Sequence, residues 1–164
     1  QVRAMLLHCV RQAASGGANR LVDHEVAYIH LRDAGVDHVA ALMRSDAMTI
    51  PANREGGAEI RRAQSGPVFS IDRDLGSLHM RYTARTRSIE WKDDAATSGA
   101  RQVLDGFLSS PSPFFFQHRL APGQGLISNN VLHDREAFAD AAGEGRLVFR
   151  ARYYDRIASA TAAN

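Results

Sequence analysis

His133 is the residue best suited to chemistry in this chain, and its neighbours indicate which chemistry. It lies in the run Asn129-Asn130-Val131-Leu132-His133-Asp134-Arg135, after a short apolar stretch at Leu126 and Ile127 and a Pro122-Gly123 turn. Thirteen positions on, Arg146 opens a second run, Leu147-Val148-Phe149-Arg150-Ala151-Arg152-Tyr153-Tyr154-Asp155. Successive side chains of a strand point to opposite faces. Arg146, Val148, Arg150 and Arg152 then share one face, and Leu147, Phe149, Ala151 and Tyr153 the other. A neutral imidazole ligates metals, and planar guanidiniums hold carboxylates through paired hydrogen bonds. The pattern predicts a metal site at a strand end beside an anion site. The plainer alternatives are a turn histidine at the surface and a solvated edge strand whose charges prevent aggregation.

The common non-haem iron motif is His-x-Asp or His-x-Glu with a distant second histidine, which leaves open positions for substrate and oxygen. None of the seven histidines has an acid two residues on. Arg81, Arg85 and Arg87 form another basic cluster around Tyr82 and Thr83, with a solvated loop as the plainer reading. Gly16-Gly17-Ala18-Asn19 can bind an anion through backbone amides, but an ordinary turn explains it as well. His24 and Glu25 read as helix cap and surface residues. Phe114-Phe115-Phe116 reads as core strand rather than as a platform for stacked bases. No Ser-His-Asp order, phosphate-binding Gly-rich loop or CxxC pair is present.

Short elements must position these residues. Alternation of Met5, Leu7 and Cys9 predicts a strand over 5–11, and 14–19 reads as a turn. Asp23 caps a predicted helix that Gly35 stops, and Asp37 caps a second one carrying Val39, Leu42 and Met43. Short strands follow at 48–50, 58–63 and 67–71, then a hairpin connection at 72–76 and a strand at 77–82. Ala100, Val103, Leu104, Phe107 and Leu108 fall at helical spacing, so 95–108 is an amphipathic helix. Strands are predicted at 114–120 and 125–128, and a small-residue loop at 139–145. This pattern predicts a β-rich barrel or jelly roll with helices outside.

With 164 residues the chain can build one domain with a real core. The net charge of +2 comes with acids and bases interspersed, which gives no block for nucleic acid. Lys92 is the only lysine, so nearly every cation is a planar arginine. Cys9 stands alone and reads as packing. No apolar run is long enough to span a membrane, and a cytoplasmic location is expected.

Two segments carry a family resemblance. Leu6-Leu7-His8-Cys9-Val10-Arg11-Gln12, Gly16-Gly17 and Leu21-Val22-Asp23 resemble the segment just after the first metal motif of iron(II)/2-oxoglutarate dioxygenases of the taurine dioxygenase and gamma-butyrobetaine dioxygenase superfamily. Pro122-Gly123, the run from Asn129 to Arg135, Phe138, Arg146 and Arg150-Ala151-Arg152-Tyr153 resemble its distal end. The resemblance implies a mainly β fold with flanking helices, a double-stranded β-helix (jelly roll) incomplete at its N-terminal side. Residues 1–157 would be the C-terminal portion of one such domain and 158–164 a frayed tail. It implies Fe(II), 2-oxoglutarate and O2, a small-molecule substrate, no nucleic acid or membrane partner, and allows a homodimer.

Residue by residue, the resemblance makes His133 the distal metal ligand and Arg146 the partner of the far carboxylate of 2-oxoglutarate. It puts Asn19 where the family usually places a hydroxyl on that carboxylate, and Leu7 on the wall of the same pocket. Arg150 matches the arginine that binds the anionic group of taurine. The family's His-x-Asp is expected a few residues before Gln1, so two of three metal ligands lie outside this sequence. Arg152 stands where gamma-butyrobetaine enzymes place an aromatic of their trimethylammonium cage, and Thr83 where they have an asparagine. A cation cage works through ring faces, and an arginine repels its ligand. The expected substrate, held by Arg150, Arg152 and Thr83, therefore bears a carboxylate, sulfonate or phosphonate. The rival expectation is a non-catalytic small-carboxylate binder on the same fold, or an inactive fragment lacking the His-x-Asp motif.

Overall fold

The computed structural model describes residues 2–73, 76–82, 89–129 and 131–157. Thr83, Arg85, Arg87, Asn130 and the expected tail at 158–164 lie outside the described residues, as does part of the expected hairpin at 72–76. In chain order the elements are β1 (Ala4–Arg11), β2 (Ser15–Gly16), β3 (Asn19–Val22), α1 (His24–Ala34) and α2 (Val36–Leu42). Then come β4 (Met48–Ile50), β5 (Asn53–Glu55), β6 (Ala58–Arg61), β7 (Gln64–Gly66), β8 (Phe69–Ile71), β9 (Leu78–Met80), β10 (Glu90–Trp91) and α3 (Ala95–Ser109). The chain closes with β11 (Phe116–His118), β12 (Gly125–Ser128), β13 (Leu132–Arg135), β14 (Phe138–Ala139) and β15 (Leu147–Tyr153). Every named strand pair is antiparallel. The described residues form two compact units, 1–23 with 112–164, and 24–111.

The first unit holds three small sheets, ordered β12-β1-β15, β11-β3-β13 and β14-β2. The turn into β12 follows from its sequence. Gln124 N–H donates to Ala121 O at 2.9 Å, with Pro122 second in the turn and Gly123 third at φ +82°. That is a type II turn, which needs glycine at its third position. β1 pairs both neighbours at Leu7, with Leu126 on one side and Arg150 on the other. A bulge between Cys9 and Arg11 shifts its register with β15.

The expected turn at 14–19 contains a strand. Ser15 and Gly16 pair with Ala139 and Phe138. Gly16 has φ +66°, and a Cβ there would lie 2.2 Å from Ala137 O. Glycine is required for that close approach. Phe138–Ala139, expected in part as loop, forms the other side of the pair, and the loop beyond it contains an Ala141–Glu144 bridge.

The second unit packs α1, α2 and α3 together over short hairpins. Ala100, Leu104 and Phe107 are buried along one stripe of α3, as their spacing predicts. They join Leu31, Leu42, Met48, Val68 and Phe69 in the core. Burying each of these side chains larger than alanine stabilises by about 1.5–3 kcal/mol. Asp94 caps α3 by accepting from Thr97 N–H at 2.7 Å. Asp37 lies in the first turn of α2 rather than at its cap, which is Gly35. His24 is not a surface residue: it is 6% exposed, and its Nε2 lies 2.9 Å from Leu78 O. The strands β5, β7 and β10 escape the sequence pattern because none has the two apolar residues that mark the equally short β4.

The aromatic run is a second departure. Phe114 and Phe116 are 63% and 55% exposed, and only Phe116 lies in a strand. Phe115 lies beneath Arg20, whose guanidinium carbon is 4.7 Å from the ring centroid. Ser112 Oγ and O accept from Phe114 and Phe115 N–H, so a turn occupies the start of the run.

Candidate functional site

Register sets which way His133 points. β13 pairs β3 with His133 opposite Leu21 and Arg135 opposite Asn19. Opposed residues project to the same face, so Asn19, Leu21, His133 and Arg135 share one. Arg20 and Asp134 take the other, where Arg20 Nη2 and Nε reach Asp134 Oδ2 at 2.6 and 3.1 Å. Both side chains are partly exposed, so the pair stabilises by only about 0.2–1 kcal/mol. Its geometry suits this register, and a slip by one residue would turn His133 to the opposite face.

His133 is the second residue of the four-residue β13 and is exposed. Its Nδ1 is 2.8 Å from the carbonyl oxygen of Val131. A carbonyl only accepts, so Nδ1 carries the proton. In the neutral ring Nε2 then keeps its lone pair. Metal-bound histidines commonly have this arrangement, which fixes tautomer and ring orientation.

Asn19 and Arg146 come together. Both line a small cleft, open to solvent, whose wall also includes Cys9, Gln12, Gly17 and Arg119. Asn19 is 6% exposed, and its Nδ2 is buried without a hydrogen-bond partner. A buried donor without a partner costs about 1–3 kcal/mol, so this amide is set to meet an acceptor. The Arg146 guanidinium makes no ion pair among the described residues. It lies over the ring of Phe138 at 5.3 Å, and Arg135 lies over the same ring at 4.4 Å. A Cβ on Gly17 would come 3.4 Å from Phe138 Cβ and 3.7 Å from Arg146 Nε. Gly17 N–H donates to Ala137 O at 3.2 Å, so the Gly-Gly pair spends that amide on the chain rather than on an anion.

The other predicted residues are placed as follows. Leu7 projects to the same face of β1 as Cys9, but it is Cys9, 2% exposed, that lines the cavity. Arg150 opposes Leu7 and Arg152 opposes Met5, so both arginines share that face. Both are exposed and make no ion pair among the described residues. Thr83 lies outside the described residues. Arg81 donates to Gln64 O at 3.1 Å in the second unit, where burial and then the nearby Arg61 charge lower its pKa. Sequence reasoning did not find Arg119, Gln12 or the seat that Phe138 gives Arg146. Arg119 lies just past a short strand, where no periodicity marks it.

A metal fits this chain only in part. Among the described residues no group of three His, Cys, Asp or Glu side chains can hold an ion, and His133 is the one ligand that the family resemblance assigns to this chain. The cavity suits a carboxylate: its wall has two guanidiniums, an unpartnered amide donor and no acid. No helix among the described residues is long and apolar enough to cross a membrane.

Comparison with solved structures gives the fold. An asparagine oxygenase in complex with Fe(II), 2S,3S-3-hydroxyasparagine and succinate matches with a TM-score of 0.62 at 16% identity, over 92% of this chain and 44% of that one. The non-heme iron oxygenase OrfP in complex with Fe matches with a TM-score of 0.62 at 14% identity, over 93% of this chain and 46% of that one. The fold is the double-stranded β-helix of these oxygenases, as expected. The chain belongs to the family described as Taurine catabolism dioxygenase TauD, TfdA family, which matches residues 2–152. It is also 33% identical over 163 residues to a uridine-5'-phosphate dioxygenase from Amycolatopsis sp, covering 93% of this chain and 56% of that protein. The chain thus spans about half the length of the relatives it matches.

Proposed function

We propose that this chain is part of an iron(II)/2-oxoglutarate-dependent dioxygenase that hydroxylates a small anionic substrate. The net conversion consumes 2-oxoglutarate, O2 and a substrate C–H bond, and yields succinate, CO2 and a C–OH group. The observation that carries the reading is the buried, unpartnered Nδ2 of Asn19 in one acid-free cavity with Arg146. Those two groups would hold the far carboxylate of 2-oxoglutarate. His133 would be the metal ligand this chain contributes, and the metal ion, where bound, would supply the oxygen chemistry. The protein's own work is then binding and orientation.

Arg150 and Arg152 would seat the substrate's anionic group. The relative named for uridine-5'-phosphate supports a phosphate monoester of a nucleoside as that substrate. Guanidiniums suit phosphate oxygens as they suit carboxylates. The test is succinate release by the full-length protein with Fe(II), across uridine-5'-phosphate, other nucleotides, sulfonates and carboxylates. A phosphate ester should stimulate it most. Stimulation only by a neutral or trimethylammonium compound would overturn the substrate reading.

A carboxylate-binding protein without catalysis would use Asn19 and Arg146 in the same way. Succinate release that depends on iron refutes it.

A further inference from the structure

Arg119 is the feature of the cavity that the reading above does not use. Two crossing hydrogen bonds hold it there. Its Nη2 donates to the carbonyl of Ala13, while Gln12 Nε2 donates to the carbonyl of Leu120 at 2.8 Å. Each segment thus uses a side chain to grip the other's backbone. The result fixes a guanidinium on the wall of the cavity that Arg146 and Asn19 also line. Among the described residues neither guanidinium makes an ion pair, Asp140 Oδ1 accepts only the Arg146 backbone N–H at 2.8 Å, and no lining residue is acidic.

Two like charges lining one small cleft both attract an anion placed between them. A carboxylate offers about four acceptor positions on its two oxygens. Arg146 can take two in its planar fork, and Asn19 Nδ2 can take a third. The fourth needs another donor. Arg119 spends one N–H on Ala13 and keeps the rest of its fork.

We propose that Arg119 is a second guanidinium for the far carboxylate of 2-oxoglutarate, acting with Arg146 and Asn19. The inference rests on the 2-oxoglutarate reading of this cavity. It makes Arg119 a determinant of co-substrate choice: a doubly cationic seat favours a 2-oxo acid with a second carboxylate over one without.

Equilibrium dialysis of labelled 2-oxoglutarate against the full-length protein, anaerobic and iron-loaded, tests this without turnover. Arg119→Gln should weaken binding about tenfold, and Arg119→Lys, which keeps the charge, should weaken it less. 2-Oxobutyrate, which lacks the far carboxylate, should bind parent and Arg119→Gln alike. Equal affinity of parent and Arg119→Gln for 2-oxoglutarate overturns the role of Arg119 and leaves the cavity's assignment standing. Equal losses for both 2-oxo acids also overturn it, since they mark a collapsed wall. If the parent does not bind 2-oxoglutarate, both readings fall.

Discussion

His133 Nδ1 donates its proton to the carbonyl of Val131 across 2.8 Å. The contact is local, two residues back along the same chain, yet it decides which ring nitrogen is left for a metal. In the full-length protein His133→Ala should abolish succinate formation and weaken iron binding at least tenfold. His133→Gln, which keeps a polar side chain, should rescue neither. Retained turnover in His133→Ala would refute the ligand assignment.

Phe138 is flanked by the guanidiniums of Arg135 and Arg146, at 4.4 and 5.3 Å from its ring centroid. A cation over an aromatic face is worth about 0.5–1 kcal/mol at an exposed site. Phe138→Leu should therefore raise KM for 2-oxoglutarate about two- to fivefold and leave kcat nearly unchanged. A fall in kcat at constant KM would show that the ring does not position Arg146.

Arg150 and Arg152 are exposed and project to one face of β15. Removing a hydrogen bond to a charged group costs about 1.5–3 kcal/mol. Arg150→Met should raise KM for the anionic substrate about tenfold or more, with KM for 2-oxoglutarate unchanged. Steady-state kinetics with each substrate varied in turn separates the two effects. A change confined to 2-oxoglutarate would move Arg150 to the other ligand.

Tyr82 donates to Asp105 Oδ1 at 3.2 Å. Burial, and then the Asp105 charge and hydrogen bond, push its pKa from 10.0 up to about 12. The folded state therefore holds this proton more tightly than the unfolded chain. Its contribution is complete below pH 10 and is lost as pH rises towards about 12. Denaturant melts of parent and Tyr82→Phe across that window should converge as pH rises. A constant difference would rule out the linkage.

Asp94 accepts the Thr97 N–H at the start of α3, and that bond lowers its carboxyl pKa below the usual 3.8. Asp94→Ala should lower Tm by a few degrees at neutral pH. The effect should be full above the usual carboxyl pKa and shrink as pH falls through the lowered value. Thermal melts at neutral and strongly acid pH check this.

Some elements could be read directly from residue order. Leu104 and Phe107 mark the buried stripe of α3, and Pro122-Gly123 marks the turn before β12, because helix period and turn chemistry are local. β5, β7 and β10 could not be read, since none has two apolar residues to mark a face as Met48 and Ile50 do in β4. His24 misled for a related reason: a polar residue after a cap reads as surface until a distant carbonyl, here Leu78 O, takes its ring.

By itself the sequence determined the alternation that sets Arg150 and Arg152 on one strand face, the motif around His133, and the family. These depend on spacing along one segment or on the order of residue types. The resemblance put Asn19 and Arg146 on one carboxylate, and the tertiary structure lines one cleft with both. That structure alone decided that Arg119 joins them and that Leu7 stands one step aside. The reason is register. Cross-strand pairing and crossing side-chain bonds between remote segments choose which groups meet, and neither leaves a period in the residues themselves.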